Sequence, residues 1–247
     1  MPYAAITFEK KDHVAIITLN RPEAGNAVNR QMAQEIEETC ERINADNDIY
    51  TVVVTGAGAV FCRGSEEDAD AGMPGVAGAI AGIERPVIAD INGNAVGQGL
   101  EIALACDIRI ASNQACFSLP QVAQGHIPVD GGTQRLPRIV GRGKALELLL
   151  TADTITAEEA LEIGLVSKVV PQEALLGETS SLVEAIAAKG PLALRYLKEA
   201  VIKGTEMTLE QGLRLEADLY FLLHTTSDRT EGIEAFRQKR PPLFKGE

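Results

Sequence analysis

Cysteine is scarce in this sequence, whose 247 residues include only Cys40, Cys62, Cys106 and Cys116. The four cysteines show no CxxC spacing and have no cluster of histidines near them, so a structural zinc site and a secreted disulfide framework are both disfavoured. We expect free, buried thiols in a reducing cytosol. No basic and apolar leader precedes the alternating segment YAAITFEK, and we therefore expect a cytoplasmic protein.

Positive charge and long apolar runs are also in short supply. Lysine and arginine number 23 against 35 aspartates and glutamates, which gives a net charge of −12, and no block of like charges stands out. These features disfavour a surface for nucleic acid or for an anionic membrane. No stretch approaches the roughly 20 apolar residues that span a bilayer. The apolar content of 45% is nevertheless enough for a large core.

The first half of the chain alternates between strand and helix patterns. YAAITFEK and HVAIITLN predict two antiparallel strands joined at the residues KD. From Asn29 to about Ala45, Met32, Ile36 and Ile43 follow helical spacing behind an asparagine cap. Apolar strands are predicted for YTVVVTG, VIADI and IRIAS, with a helix in GQGLEIALACD. This alternation predicts a mostly parallel sheet with helices outside it.

After residue 140 the pattern becomes helical almost throughout. Five helices are predicted, in the segments GKALELLLT, TAEEALEIG, LLGETSSLVEAIAAKG, PLALRYLKEAVIKG and LEQGLRLEADLYFLLHTT. We expect a helical C-terminal part whose boundary lies near residues 190 to 200, although no Ser/Gly linker marks it.

Two glycine-rich turns carry the strongest chemical signal. In residues 85–112 a strand ends at Ile91, glycines 93, 97 and 99 follow, and a helix begins with its free N–H groups facing the turn. Residues 52–68 end another buried strand in another glycine turn. Two such turns can bring two backbone N–H donors to one point and form an oxyanion hole for an enolate or a tetrahedral oxyanion. An ordinary strand–turn–helix connection is the alternative for each turn alone.

The segments that follow resemble the enoyl-CoA hydratase/isomerase, or crotonase, superfamily over essentially the whole chain. They are RPEAGNAVN, VVVTGAGAVFCRGS, RPVIADINGNAVGQGLEIALACDIRIAS, IPVDGGTQRLPRIVG, ALELLLTADTITAEEALEIGLVSKVVP and TTSDRTEGIEAFRQKRPPLF. The resemblance implies an α/β fold, a crotonase-like spiral of ββα units in residues 1–195, with a helical C-terminal region in residues 196–247 for trimerisation and closure of the site. It also implies an acyl-CoA substrate, no metal or other cofactor, and a homotrimer or dimer of trimers. The oxyanion hole would use the backbone N–H groups of Ser65 and Gln98.

Three positions bear on the acid/base chemistry that the resemblance implies. Glu101 falls where hydratases of this family keep the first of two catalytic glutamates, although an acid in the first turn of a helix is also favoured by the helix dipole. The second glutamate belongs at position 121, where this chain has Gln121, and an amide cannot accept a proton near neutral pH. The resemblance makes Asp130 the candidate substitute, because an aspartate at this position or one before it carries the acid/base role in some relatives. Alternatively, Asp130 caps the helix that begins at GGTQRLPRIVG.

Two further polar residues are assigned structural roles. Asp90 is an acid at the end of a buried strand, and we expect a structural ion pair with an arginine rather than catalysis. His126 could face the pocket, but a lone histidine is more often structural.

The stretch between Ser65 and Pro86 is shorter than in the family and rich in Gly and Ala, so the helix that walls the acyl pocket is expected to be reduced or mobile.

The resemblance also carries residues that bind CoA. Lys239 would approach the phosphates and Tyr220 the adenine from a neighbouring subunit, while Lys239 and Arg240 add local positive charge. A solvated basic tail is the alternative for this last segment. The full set of expected CoA-binding residues is Arg21, Ala24, Arg63, Ser65, Glu66, Glu67, Asp68, Tyr220 and Lys239.

Four functions remain open at this level. Hydration of a 2-enoyl-CoA to a 3-hydroxyacyl-CoA is the first expectation. A double-bond isomerase comes second, because moving one proton needs only one competent carboxylate. A C–C bond hydrolase of the same family would use Asp130 to act on water, and a scaffold of the same fold without catalysis is the fourth possibility.

Overall fold

The computed structural model describes residues 3–66 and 75–247. Within these ranges the chain forms two β-sheets surrounded by helices. The strands are β1 (Ile6–Lys11), β2 (Val14–Leu19), β3 (Thr51–Gly56), β4 (Val87–Ile91), β5 (Ala95–Val96), β6 (Ile108–Ser112), β7 (Cys116–Ser118), β8 (Ile155–Thr156) and β9 (Lys168–Val170). The helices are α1 (Arg30–Ala45), α2 (Val76–Ala81), α3 (Gln98–Ala105), α4 (Gly132–Val140), α5 (Arg142–Thr151), α6 (Ala157–Glu162), α7 (Gln172–Ala187), α8 (Pro191–Gly204), α9 (Leu209–Leu223) and α10 (Ser227–Gln238).

The larger sheet has the strand order β1-β2-β3-β4-β6-β9. β1 and β2 are antiparallel, and the remaining neighbours are parallel. β4 is buried along its whole length and β3 along all but one residue, because parallel strands are covered by helices on both faces. The predicted mostly parallel sheet with an antiparallel start is confirmed.

The first long helix shows why the sequence pattern works well here. The side chain of Asn29 accepts a hydrogen bond from the backbone N–H of Met32 at 2.9 Å, so α1 begins at the predicted cap. Met32, Ile36 and Ile43 are fully buried in the core. The predicted helices of the C-terminal part are present as α5 to α9.

Short strands within the chain were not predicted. β5, β7 and β8 form a separate sheet of three strands, and β9 pairs in parallel with β6 inside a region that was predicted to be helical almost throughout. Two or three residues are too few to show alternation in the sequence. The small sheet matters for the site, because the Gly97 N–H after β5 donates to the Ser118 carbonyl of β7 at 2.9 Å.

The C-terminal helices are tied to the sheet layer through α8. Lys198 forms an ion pair with Asp107 at 2.7 Å and donates to the carbonyl of Arg85 at 2.9 Å. The predicted boundary at residue 195 lies inside α8, and the division into residues 1–195 and 196–247 stays a prediction. The helix expected before Pro86 is short, since α2 spans six residues.

The buried acid on β4 has a different partner from the one predicted. The carboxylate of Asp90 accepts a hydrogen bond from the hydroxyl of Thr179 on α7 at 3.2 Å, and no arginine ion pair to it is found among the described residues. The ion-pair prediction is therefore wrong. Burial raises the pKa of Asp90 and the Thr179 bond opposes this shift only in part. The fold thus gives this buried acid a neutral hydrogen-bond donor rather than a counter-charge.

The four thiols are free, as predicted, and three of them are buried while Cys116 is half-buried. Burial raises the pKa of Cys62 to about 12.

Across residues 3–66 and 75–247, we find no group of three His, Cys, Asp or Glu side chains placed to hold a metal. None of the helices in this part of the chain is long and apolar enough to cross a membrane.

Candidate active site

The two glycine turns are joined by backbone hydrogen bonds. The N–H of Cys62 donates to Asn94 at 3.1 Å, and the N–H of Val96 donates back to Cys62 at 2.9 Å. On the other side, the N–H of Val28 donates to Gly64 at 2.8 Å. The turn after β3 therefore lies between residue 28 and β5. Only glycine allows this approach at position 99, where a Cβ would lie 2.2 Å from the Cys62 carbonyl oxygen.

This junction makes residues 64–65 and 97–98 neighbours. A Cβ on Gly64 would lie 4.0 Å from the backbone nitrogen of Gln98, and a Cβ on Gly97 would lie 3.7 Å from the Cα of Gly64. Gln98 is the first residue of α3, so its N–H has no acceptor within the helix. Ser65 directly follows Gly64. The arrangement can present backbone N–H groups to an oxygen that develops negative charge.

Glu101 lies in the first turn of α3, as predicted, and its side chain is buried. Its Oε1 accepts hydrogen bonds from the N–H groups of Asp130 and Gly132, both at 2.8 Å. Because both bonds go to the same oxygen, Oε2 is committed to neither donor. Burial raises the pKa of Glu101, and the nearby Asp130 carboxylate adds to this; the two N–H donors and Arg135 act in the opposite direction. A carboxyl with a raised pKa can give and take a proton closer to neutral pH.

Gln121 lies beside the start of α3, in a short 3-10 turn that spans Pro120–Gln124. Its Nε2 is 3.6 Å from the position that a Cβ on Gly97 would occupy. Its Oε1 is buried and has no hydrogen-bond partner among residues 3–66 and 75–247. Such an oxygen can accept a hydrogen bond from a water molecule or from a substrate, but it cannot take a proton.

Asp130 does not cap the helix that follows it, so that alternative is wrong. Gly131 occupies the N-cap of α4 with a φ of 101°, and it has no side chain to offer. The carboxylate of Asp130 instead accepts from the N–H of Ala77 in α2 at 2.9 Å and from Nε2 of Gln98 at 3.1 Å. Asp130 is buried, and its links run to two other elements of the site.

The structure brings five of the residues expected to bind CoA to one edge of the site. Nη2 of Arg21 pairs with Glu66 at 2.6 Å. Ala24 ends the turn that precedes Gly25, whose carbonyl accepts from the N–H of Arg63 at 3.0 Å. The fifth residue is Ser65, which pairs with the segment at Val28. Glu67 and Asp68 lie outside the described residues.

The C-terminal candidates lie on other elements. Tyr220 on α9 is 56% exposed and its ring contacts Phe221 and His224 of the same helix. Lys239 ends α10 in a left-handed conformation with a φ of 54°. Arg240 makes two bonds to Glu231, at 2.6 and 2.8 Å, and holds the pKa of that carboxyl at about 2. Arg240 is thus already paired, unlike the expectation that it adds positive charge for CoA.

Sequence patterns missed two groups that contact Asp130. Gln98 was expected to contribute only its backbone N–H, yet its side chain contacts Asp130. Ala77, whose backbone N–H also donates to Asp130, was assigned no role. No periodicity or motif links residues 77, 98 and 130, because the contacts form only when α2, α3 and the segment before α4 come together.

His126 is exposed, and its backbone N–H donates to the Gln121 carbonyl at 3.2 Å.

Comparisons with known proteins agree with this geometry. The sequence profile of the enoyl-CoA hydratase/isomerase family matches residues 9–247. The chain is 40% identical to a crotonyl-CoA hydratase from Syntrophomonas wolfei, over 99% of each chain. It is 40% identical to an (E)-benzylidenesuccinyl-CoA hydratase from Thauera aromatica, over 98% of this chain and 99% of that one. A crystal structure of an enoyl-CoA hydratase from Bacillus anthracis superposes with a TM-score of 0.95 at 38% identity, covering 99% of this chain and 100% of the other.

Proposed function

Because the chain belongs to the enoyl-CoA hydratase/isomerase family, we propose that it catalyses the reversible addition of water to a 2-enoyl-CoA, giving a 3-hydroxyacyl-CoA. The observation that carries this proposal is the buried carboxylate of Glu101 in the first turn of α3, held by two backbone N–H groups beside the two glycine turns. The name of the Syntrophomonas wolfei relative supports the same reaction for a short acyl chain.

The thioester oxygen binds to the backbone N–H groups of Ser65 and Gln98. Attack at the β carbon moves electron density onto this oxygen and forms an enolate. Donors fixed in place before the reaction stabilise such charge without reorganisation, and loss of one donor of this kind costs about 100- to 1,000-fold in turnover. The proximity of residues 64–65 to residues 97–98 supports this assignment.

Glu101 is the principal acid/base, and Oε2 is the oxygen that exchanges the proton. The water oxygen bonds to the β carbon while a water proton passes to Glu101, and Glu101 returns a proton to the α carbon of the enolate. Gln121 Oε1 accepts a hydrogen bond from the water and orients it. The buried Oε1 of Gln121 without a partner among the described residues supports this role.

A second candidate, a double-bond isomerase, is favoured by the same Gln121. Isomerisation moves one proton between two carbons of the acyl chain, so a single carboxylate at position 101 is enough. The third candidate, a C–C bond hydrolase that uses Asp130, is less well supported. The carboxylate of Asp130 accepts from Ala77 and Gln98 rather than standing free for a water molecule.

The deciding experiment follows purified enzyme with crotonyl-CoA in ¹⁸O-labelled water. Hydration removes the conjugated double bond, which lowers the ultraviolet absorbance, and places ¹⁸O in the product. The variant Glu101→Gln should lose at least about 100-fold in turnover, the lower range for removal of a general acid/base, while CoA-ester binding changes little. Conversion of a 3-enoyl-CoA to its 2-enoyl isomer without labelled product would select the isomerase. Binding of CoA esters without any turnover would select the scaffold.

We further propose that CoA lies along the edge formed by Arg21, Ala24, Arg63, Ser65 and Glu66, with Tyr220 and Lys239 supplied by a neighbouring copy. A homotrimer or a dimer of trimers is the expected assembly. Exposed apolar side chains on α8, α9 and α10, among them Leu197, Leu209 and Phe236, support an interface there. We expect the reaction to need no metal or cofactor beyond the CoA thioester, and we place the protein in the cytoplasm.

A further inference from the structure

Asp130 stands at a meeting point of three elements of the site. Its Oδ2 accepts from the N–H of Ala77 in α2 at 2.9 Å and from Nε2 of Gln98 in α3 at 3.1 Å. Its own backbone N–H donates to Oε1 of Glu101 at 2.8 Å. Asp130 is 8% exposed, and Ala77 is fully buried. Asp130 thus contacts α2, Gln98 at the start of α3 and the buried Glu101.

We propose that Asp130 is a positioning residue, whose carboxylate fixes the Gln98 side chain and the first turn of α2 while its backbone N–H fixes Glu101. The inference rests on the proposed function in taking Glu101 as the acid/base and Gln98 as a donor to the thioester oxygen. It replaces both roles considered from the sequence for Asp130, the proton-transferring carboxylate and the cap of the following helix.

The direction of the carboxylate carries the argument. Oδ2 already accepts two hydrogen bonds, and a Cβ on Gly75 would lie 3.1 Å from Oδ1, so both oxygens face α2 or Gln98. An acid/base in the reaction must instead reach the substrate or its water within about 2.6–3.2 Å. Arg135 donates to the backbone carbonyl of Asp130 at 2.8 Å and not to the carboxylate, which has two donors among residues 3–66 and 75–247.

The side chain of Gln98 depends on this contact for its orientation. Nε2 of Gln98 must be the atom that faces Asp130, because a carboxylate oxygen only accepts. Oε1 of Gln98 is buried and has no partner among residues 3–66 and 75–247, so the bond to Asp130 is the one that holds the amide group in the described part of the chain. Without the Asp130 carboxylate, the Gln98 side chain loses this hydrogen bond. Gln98 is the residue whose backbone N–H donates to the thioester oxygen in the proposed function.

The test compares Asp130→Asn with Asp130→Ala on the reaction that the parent enzyme performs. An asparagine oxygen has two lone pairs and can accept from both Ala77 and Gln98, whereas alanine accepts from neither. We expect Asp130→Asn to lose no more than about threefold in kcat. Asp130→Ala should lose about 10- to 100-fold in kcat with little change in KM, the scale expected when reacting groups are misplaced by about 1 Å.

Two results would overturn the proposal. A loss of at least about 100-fold in folded Asp130→Asn would make the carboxylate itself the proton-transferring group. Parent-level kcat in Asp130→Ala would show that the contacts position nothing. If Asp130→Ala does not fold, as judged by circular dichroism, Asp130→Asn still separates positioning from proton transfer, because proton transfer requires the carboxylate itself.

The pH profile tests whether the Asp130 carboxylate lies beside Glu101 in the working enzyme. Among the residues that the structure describes, the charged groups that act on Glu101 are Asp130 and Arg135, and the negative charge of Asp130 raises the pKa of Glu101. Asp130→Asn removes that charge, so the limb of the pH–rate profile that Glu101 controls should move to lower pH. A limb that stays in place in Asp130→Asn would contradict the proposal, because it would show that the Asp130 carboxylate does not lie beside Glu101 in the working enzyme.

A final arm needs no catalysis and so stands apart from the proposed function. The amide hydrogen of Ala77 should exchange faster in Asp130→Ala than in Asp130→Asn, because only alanine removes its acceptor. The double variant Gln98→Ala/Asp130→Ala should be no more than about threefold slower than the worse single variant. Each substitution removes the same hydrogen bond between Gln98 and Asp130, so the second change has no further bond of this pair to break. Equal protection of Ala77 in both Asp130 variants, or losses that multiply in the double variant, would contradict the inference. The parent enzyme could be inactive while the Ala77 amide exchanges slowly in Asp130→Asn and fast in Asp130→Ala. That result would refute the proposed function and leave the inference about Asp130 standing.

Discussion

At the scale of single residues, the proposed mechanism predicts that Gln121 limits water chemistry in this site. Gln121→Glu should raise hydration of crotonyl-CoA by about 10-fold or more, because it adds a second group able to exchange a proton beside Glu101. Two carboxylates in one site repel, so one should titrate with a raised pKa and add a pH limb that is absent from the parent. Initial rates across pH measure both effects.

Gln124→Glu is the matched control for this change. Gln124 lies in the same short turn and its side chain is exposed, so the added charge is similar but solvated. Its rate should stay near that of the parent. If Gln121→Glu leaves hydration unchanged, the amide is not what limits the reaction, and the assignment of Gln121 to the water fails.

Asp90 gives a second prediction at this scale, in the dependence of stability on pH. Burial raises its pKa in the folded protein above the unfolded value of about 3.9, so the folded state binds more protons in the window between the two values. Stability contributed by this carboxyl is therefore lost as pH rises through that window. Asp90→Asn keeps an acceptor for Thr179 and removes the charge, so its unfolding free energy should exceed that of the parent near pH 8 and converge with it near pH 3.

Denaturant unfolding at several pH values measures this difference. The control is Asp153→Asn, an exposed position, which should follow the parent at every pH. A parent that is more stable than Asp90→Asn near pH 8 would mean that the ionised carboxylate is favourable in the fold. In that case, a partner other than the Thr179 hydroxyl stabilises the charge.

Residue roles could be predicted wherever the signal is local in the sequence. The cap at Asn29 and the place of Glu101 in the first turn of α3 depend on neighbours within a few positions, and both were confirmed. The partners of Asp90 and Asp130 could not be predicted, because Thr179 and Ala77 lie far away in the sequence. For a buried acid, sequence alone predicts that a partner exists, but not which one.

At the scale of elements, Lys198 is one of the side chains through which α8 contacts the sheet layer. The side chain of Lys198 is 10% exposed, and it pairs with Asp107, which also accepts from the N–H of Val87 at 2.7 Å. Lys198→Ala leaves a carboxylate and a carbonyl with one donor fewer in a mostly buried place. We expect it to lower the unfolding free energy by about 1–3 kcal/mol, measured by denaturant titration.

Lys203→Ala on the same helix is the control. Lys203 is 59% exposed and pairs with Glu199 one turn earlier, an arrangement that contributes about 0.3–0.5 kcal/mol. The loss for this variant should stay within that range. Equal losses for the two lysines would mean that the contact between α8 and the sheet layer does not depend on the Lys198 ion pair.

Length decides which elements the sequence predicts. The longer helices and strands repeat their apolar spacing over enough residues to be recognised, as in α1 and α7. β5, β8 and β9 are two or three residues long, and each is defined by its pairing with another strand. The predicted separation of a helical C-terminal part missed β9 for this reason.

At the scale of the whole molecule, apolar surface is concentrated on the C-terminal helices. A groove of about 770 Å³ runs along α8 and α9, and the side chains of Leu197, Val201 and Leu213 line it. Each of these three is more than half exposed. Single exposed leucines are common, but a continuous apolar groove of this kind is typical of a surface that another protein covers.

If a second copy covers this groove, the proposed CoA site and the assembly are coupled. Lys239→Ala in the assembled protein should raise the KM for CoA esters several-fold and leave kcat nearly intact, because the phosphates lie far from the reacting carbons and supply uniform binding. Leu213→Glu places a charge in the groove and should shift the protein toward monomers, as measured by light scattering after gel filtration. Monomers lack the neighbour's Lys239 and Tyr220, so their KM should rise by at least as much as that of Lys239→Ala.

The double variant Leu213→Glu/Lys239→Ala decides whether Lys239 acts across the interface. In a monomer Lys239 no longer meets the CoA of another copy, so its removal should add no further increase in KM to that of Leu213→Glu alone. Leu176→Glu on α7 is the matched control, because Leu176 is 73% exposed and lies outside the groove; it should keep the parent's assembly and KM. If KM rises by the same factor for Lys239→Ala in the monomer as in the assembly, Lys239 serves the site of its own chain. A parent that is already monomeric would refute the proposed assembly.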